Sequence, residues 1–406
     1  MQKPIALGAF LAIVACATLL PSRAMAERPG EPPTPSIIHL FSNGDGGFPR
    51  FRIPALLALD NGALLAFAEG RRPTFEGQHD DHARNNIVLR RSVDGGESWE
   101  PLQIVARMND DSLNDPCVVF LPDTGRVLLM FQRFPEGYHA RRMVHTEVAE
   151  LGYGGPRNTQ TFLTYSDDDG ATWSEPRDIT SNVRAEDAIS VGSPGVGIVL
   201  RRGEHSGRIL LPLYEVIPQG DDEERYWRNR MAISDDGGES WRVGERVPID
   251  GLTGFGNECQ IAELADGSIR MNARLQTGAN RVARSISHDG GETWSAMEEE
   301  PGLVTTPCMT SLVAHPDVDS GEVRLLASLP NSEDGRENGT VFMSRDGGAS
   351  WPYRHTLYER GFAYSSLAVM PDGRVAAFFE LGPYTYLSFT TFGLEELELV
   401  SDDAEQ

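Results

Sequence analysis

Apolar residues in this chain gather in short runs, not in long stripes. "GALLAFAEG" (62–70), "GRVLLMFQR" (125–133), "GRILLPLYE" (207–215), "GEVRLLASL" (321–329) and "GRVAAFFE" (373–380) each open on glycine, and turns such as "PDTG", "ADG" and "PDG" border runs of this kind. Runs of this length with glycine and aspartate at their edges predict β-strands entered through tight turns. No 3.6-residue apolar period persists long enough to predict a major helix. The pattern therefore predicts an all-β fold.

Between the runs one phrase returns five times: "SVDGGESW" (92–99), "SDDDGATW" (166–173), "SDDGGESW" (234–241), "SHDGGETW" (287–294) and "SRDGGASW" (344–351). All fit Ser-x-Asp-x-Gly-x-[Ser/Thr]-Trp, and their serines are 74, 68, 53 and 57 residues apart. Each interval holds one four-stranded antiparallel sheet with its loops, the unit of a β-propeller. The Asp-x-Gly core supplies side-chain turn bonding and a positive φ, so each box reads as a hairpin turn whose tryptophan packs back on its own blade. A calcium loop would need more acids and a later bidentate glutamate. The boxes are thus expected to fasten blades, and the chemistry to lie between them.

Residues 1–26 differ from the rest. Lys3 precedes an apolar run from Ile5 to Leu20, and "PSRAMA" supplies a small-x-small cleavage site before Glu27, the pattern of a secretory signal. Export to the periplasm or medium is expected, with "IVAC" ending at Cys16 offering an alternative lipoprotein tether. Residues 27–35 read as a linker, 36–400 as the propeller and 401–406 as a tail. No later stretch approaches about 18 unbroken apolar residues, so no membrane span is expected. Cleavage would leave Cys117, Cys259 and Cys308, an odd set that suits buried small side chains better than a disulfide framework. A monomer is expected.

Charge narrows the partners. The formal net charge is −24 over 406 residues, and losing Lys3 and Arg23 with no acid takes it to −26. Nucleic acid and anionic membrane, which need a basic face, are disfavoured. Lys3 is the sole lysine, which excludes Schiff-base chemistry and a phosphate-binding Gly-Lys loop from the processed chain. No His-Glu-x-x-His or Cys-x-x-Cys marks a metal site, and no cofactor is expected.

Against that acidic background, several polar residues sit in apolar or tight contexts. Arg52 stands in "FPRFRIPALL", on what reads as the first strand after the linker. Glu258 lies in "GFGNECQ" and Arg274 in "MNAR", with Arg336 in "GREN", Tyr364 in "GFAYSS" and Glu380 in "AAFFELG". "EGRRPTFEGQHDDHARNNIVLRRS" adds Arg71, Asp80 and Asp81, and "NDPCVVF" adds Asp115. With the boxes, this combination resembles the exo-α-sialidase (neuraminidase) superfamily, over about residues 36–395.

That resemblance implies a six-bladed propeller carrying five Asp-box turns. It implies that Arg52, Arg274 and Arg336 form a triad gripping the substrate carboxylate, a role suited to planar donor forks. Tyr364 is implied as nucleophile and Glu258 as its base. A neutral phenol avoids driving a charged carboxylate towards an anomeric carbon that already bears one. Asp81, or alternatively Asp80, is implied as the acid/base, Glu380 as the carboxylate orienting Arg52, and Arg71 and Asp115 as contacts to the sugar's 4-hydroxyl and N-acetyl region. The expected function is hydrolysis, with retention, of terminal α-linked sialic acids on glycoproteins, glycolipids or oligosaccharides. The alternatives are a trans-sialidase, an anhydro-forming enzyme or a hydrolase of deaminated sialic acid on the same scaffold, and a non-catalytic glycan- or protein-binding propeller.

Overall fold

The computed structural model describes residues 36–399 except 74–80, 82, 143–145, 220–223, 253, 277–278 and 318–320. The expected leader with Cys16, the linker, the tail and Asp80 lie outside the described residues. The architecture is all-β and propeller-like. Among the described residues the only α-helix is Thr180–Val183, and no helix is long and apolar enough to cross a membrane.

The sheets follow one another along the chain. Arg50–Ala58, Leu64–Arg71, Asn86–Ser92 and Gln103–Ala106 pair in that order. The next sheet holds Ser112–Leu121, Arg126–Phe134, Gln160–Ser166 and Arg177–Asp178, with Gly195–Val196 added in parallel beside Ser112–Leu121. Ser190–Gly192, Ile209–Gln219, Glu224–Ser234 and Arg242–Val243 form a third, joined by Ile198–Val199. Gly256–Glu263, Ile269–Leu275, Arg281–Ser287 and Glu298–Val304 form a fourth. Tyr138–His139 and Glu147–Val148 form a separate parallel pair, and the other described strands make one eight-stranded sheet whose middle strand, Tyr353–Val369, is shared. Its first half pairs with Glu337–Ser344 and its second half with Val375–Leu381. The five glycine-opened runs all become second strands, each beginning one or two residues after its turn glycine.

Two details correct the sequence expectation. Arg52 is not on the first strand: Ile38–Ser42 precedes it and pairs with Tyr386–Phe392, close to the end of the chain. A ring of sheets must be closed by some strand, and here an N-terminal one completes the last sheet. Nor do the box tryptophans pack only on their own sheets. Trp99 meets Phe389 edge-on at 5.0 Å and Trp173 meets Phe67 at 5.6 Å, in each case across the seam to the preceding sheet. The reason is burial. Each sheet is apolar on both faces and can hide them only against its neighbours, so the core lies in the seams, as where Leu65 and Phe67 meet Val118, Leu129 and Phe131.

The box turns repeat one bonding scheme. In all five the serine hydroxyl donates to the aspartate at 2.7–2.9 Å and accepts the N–H of the glycine four residues on, while the aspartate accepts the N–H of the following Ser or Thr. Two consecutive positive φ values are needed, and only the first tolerates a side chain, at Asp169 with φ 55°. The second faces the neighbouring sheet: a Cβ on Gly238 would lie 2.7 Å from Leu128 Cδ1 at φ +90°. Gly238→Ala is therefore expected to cost about 2 kcal/mol in chemical denaturation, from overpacking and backbone strain together.

These bonds also set a pH dependence. Hydrogen bonds from Ser98 draw Asp94 down to about 2, and the aspartates at 168 and 236 are lowered for the same reason. A carboxylate depressed on folding contributes stability above its unfolded range, near 3.9, and loses it as pH falls through the folded value. The urea midpoint should accordingly drop steeply between about pH 4 and pH 2, and Asp94→Asn should flatten that slope.

Candidate active site

The candidate residues converge because the inner strands bulge at one level. The pairing slips between Arg52 and Ala55, between Asn114 and Cys117, between Gly256 and Cys259, and between Phe362 and Ser365. The residues in those slips are Ile53–Pro54, Asp115–Pro116, Asn257–Glu258 and Ala363–Tyr364. A bulge adds a residue to one strand and re-aims its side chain, here towards the ring's centre. Ile53 and Asp115 pay for it with φ values of 60° and 55°, uncommon for side chains and strained for a β-branched one.

The second strands contribute through a fixed offset. Seven residues after the positive-φ turn glycines 62, 125, 207, 267, 321 and 373 stand Glu69, Gln132, Tyr214, Arg274, Ser328 and Glu380. Glu69, Tyr214 and Arg274 line one cavity of about 190 Å³ together with Arg52, Arg71, Asp81, Asp115, Glu258, Arg336 and Tyr364. A larger cavity of about 950 Å³ opens where the opposite ends of the inner strands meet, around 56–60, 261–263 and 312–317, and contains none of the candidates.

The arginines are held edge by edge. Arg52 donates Nε and Nη2 to the two oxygens of Glu380 at 2.9 and 3.0 Å, and Glu380, fully buried, also accepts the N–H groups of Ile53 and Tyr364. Arg274 donates Nη1 to Glu258 Oε2 at 2.9 Å and to the Tyr364 hydroxyl at 2.7 Å, while its buried Nε meets no partner among the described residues. Arg336 donates to the Tyr384 hydroxyl at 3.0 Å and to the Pro307 carbonyl at 3.1 Å. Burial works against all three charges, yet each is held above the ordinary arginine range, Arg52 chiefly by Glu380 and Arg274 by Tyr364 and Glu258.

At the centre, Tyr364 donates its hydroxyl to Glu258 Oε1 at 2.5 Å. Burial pushes the phenol well above its ordinary value, with Arg274 pulling it back and Glu258 adding to the rise. Tyr364 is thus a neutral phenol at rest, with a carboxylate placed to take its proton when a bond forms at oxygen. Cys308, Met309 and Ile53 pack beneath the ring. All three cysteines of the described chain are buried and free, as expected.

The opposite wall is acidic and paired. Arg71 donates to Glu69 at 2.7 Å and to Asp81 Oδ1 at 2.6 Å, and Asp81, half exposed at the rim, also faces Arg52 Nη1 at 3.6 Å. Glu69 is fully buried and accepts the Asp115 N–H, repeating what Glu380 does for Ile53. Asp115 accepts from the Tyr214 hydroxyl at 3.0 Å. Burial, then Glu69 and Glu258, raise the Asp115 carboxyl well above the usual range. His139, drawn down to about 4 by burial, completes this side as a neutral ring near Phe134 and Trp227.

The structure thus brings Arg52, Arg71, Asp81, Asp115, Glu258, Arg274, Arg336 and Tyr364 into one cavity with Glu380 behind it. Sequence reasoning missed Glu69, Tyr214 and Tyr384. The seven-residue offset was a readable signal for the first two; Tyr384 follows a Gly-Pro turn and had none.

A sequence profile described as a BNR repeat-like domain matches residues 62–377. The chain is 31% identical to the sialidase of Micromonospora viridifaciens over 95% of its length, and 26% identical to the anhydrosialidase of Macrobdella decora over 81%. It spans 58% of each of these relatives. Among solved structures it resembles the Hadza microbial sialidase Hz136 with a TM-score of 0.73 and 27% identity, over 86% of this chain and 67% of that one.

Proposed function

The chain belongs to the sialidase/BNR-repeat superfamily, and from that premise we propose that it is an exo-α-sialidase acting on terminal sialic acids of glycoconjugates with net retention. The observation that carries this reading is the Tyr364–Glu258 hydrogen bond of 2.5 Å set among three arginines. Divided at its shared strand Tyr353–Val369, the eight-stranded sheet gives a blade of four strands and one of five that includes Glu398–Leu399, so the propeller would have six blades, five of them closed by Asp boxes. Residues 1–26 would direct export.

In the proposed reaction Arg52, Arg274 and Arg336 bind the substrate carboxylate. As that carboxylate takes Arg52 Nη1, the contact from Arg52 to Asp81 is given up, and Asp81 protonates the departing glycosidic oxygen. Tyr364 oxygen bonds to C2 while Glu258 takes the phenolic proton. Asp81 then draws a proton from water, whose oxygen attacks C2, and Glu258 returns its proton to Tyr364. Two displacements at one carbon give retention. Arg71 and Asp115, which line the same cavity, would take the 4-hydroxyl and N-acetyl region.

A second reading has one observation behind it, the match to an anhydrosialidase. An anhydro-forming enzyme would use the same tyrosyl intermediate but let a hydroxyl of the sugar itself displace the phenol. A trans-sialidase would use a second glycan. Incubating the purified protein with 3′-sialyllactose and following products by proton NMR tests all three: free α-sialic acid as first product supports hydrolysis, an anhydro sugar or a new sialoside the others. No turnover on any linkage would leave a glycan-binding propeller.

A further inference from the structure

Resting on the sialidase reading, we propose that Tyr384 is the positioning residue that keeps Arg336 aimed at the substrate carboxylate, so that the site takes the anionic sugar and rejects its neutral ester. Three guanidinium groups crowded at one cavity repel one another and need anchors. Arg52 has Glu380 and Arg274 has Glu258. Arg336 has no carboxylate partner among the described residues, and its anchors are neutral oxygens, the Tyr384 hydroxyl and the Pro307 carbonyl. An anchor of zero charge fixes the fork without spending its field, which then remains for the ligand.

Tyr384 reaches two of the three arginines. Its ring lies 4.2 Å from Arg52 Cζ, a cation–π contact over the guanidinium face, while its hydroxyl accepts from Arg336. The residue sits in the turn between Val375–Leu381 and Tyr386–Phe392, four positions after Glu380, so one hairpin grips Arg52 by edge and by face. Its φ is 59°, which a bulky side chain adopts only where its surroundings hold it.

The test is calorimetric titration of wild type, Tyr384→Phe and Tyr384→Ala with 2-deoxy-2,3-dehydro-N-acetylneuraminic acid and with its methyl ester, alongside kcat and KM on an aryl α-sialoside. Affinity for the acid should fall about fivefold in Tyr384→Phe and about twentyfold in Tyr384→Ala, with the ester's weak binding unmoved. KM should rise in step while kcat changes by less than about twofold. Acid binding unchanged in the conservative Phe variant, or acid and ester lost together, overturns the proposal in an active enzyme. A wild type that neither binds the acid nor cleaves the sialoside overturns the sialidase reading itself, and this inference with it.

Discussion

Tyr364→Phe is expected to lower kcat on an aryl α-sialoside by about 10³-fold or more, with KM little changed. The ring volume stays, so the packing on Ile53, Cys308 and Met309 is kept and no room opens for water to take the hydroxyl's place. What disappears is the oxygen proposed to bond to C2, an interaction absent from the bound substrate, so kcat and kcat/KM should fall together. Stability should suffer little: Glu258 and Arg274 lose a shared partner but retain their 2.9 Å contact, a change of about 1 kcal/mol. Steady-state kinetics and thermal denaturation on one preparation check both halves. Near-wild-type turnover by the Phe variant would remove Tyr364 as nucleophile.

Asp81→Asn should separate substrates by leaving group. Protonating a sugar hydroxylate is worth about 10²–10⁴-fold, so cleavage of 3′-sialyllactose should fall by that order. An activated aryl aglycone leaves without help, and its release should fall less than about tenfold. The asymmetry follows from the acid role and not from charge removal at Arg71 and Arg52, which would affect both substrates alike. Asp80→Asn, made in parallel, should spare both. If the two variants exchange behaviours, the acid is Asp80.

The fold was legible where local chemistry dictates it. Glycine-opened runs became second strands because a positive-φ turn leaves one way for the chain to continue. The boxes became turns because Ser and Asp side chains complete their own bonds. Long-range facts were not legible. Nothing in "IIHLFS" says that it pairs with a strand some 350 residues away, and nothing in a box says which sheet its tryptophan will meet.

The candidate site divides along the same line. Arg52, Glu258, Arg274 and Tyr364 were visible through the family resemblance. Glu69 and Tyr214 stood unnoticed in apolar runs that read as core, although a shared position seven residues after each turn glycine places them beside Arg274. Tyr384 depends on a hairpin tip reaching two arginines at once, which no local pattern encodes.

The strand Ile38–Ser42 carries a further consequence, in time. His39 bonds to Ser388, 349 residues later, so this strand cannot be seated until Tyr386–Phe392 has been synthesised. At about 5–20 residues per second that wait lasts tens of seconds. Throughout it, one edge of the final sheet and the matching segment at the other end of the chain stay unpaired, available to each other or to another molecule's copy. Closure of the last sheet is therefore a single late event that joins Ile38–Ser42 to Tyr386–Phe392. Deleting Ile38–Ser42, even though it lies far from the cavity, should leave an open sheet edge that aggregates.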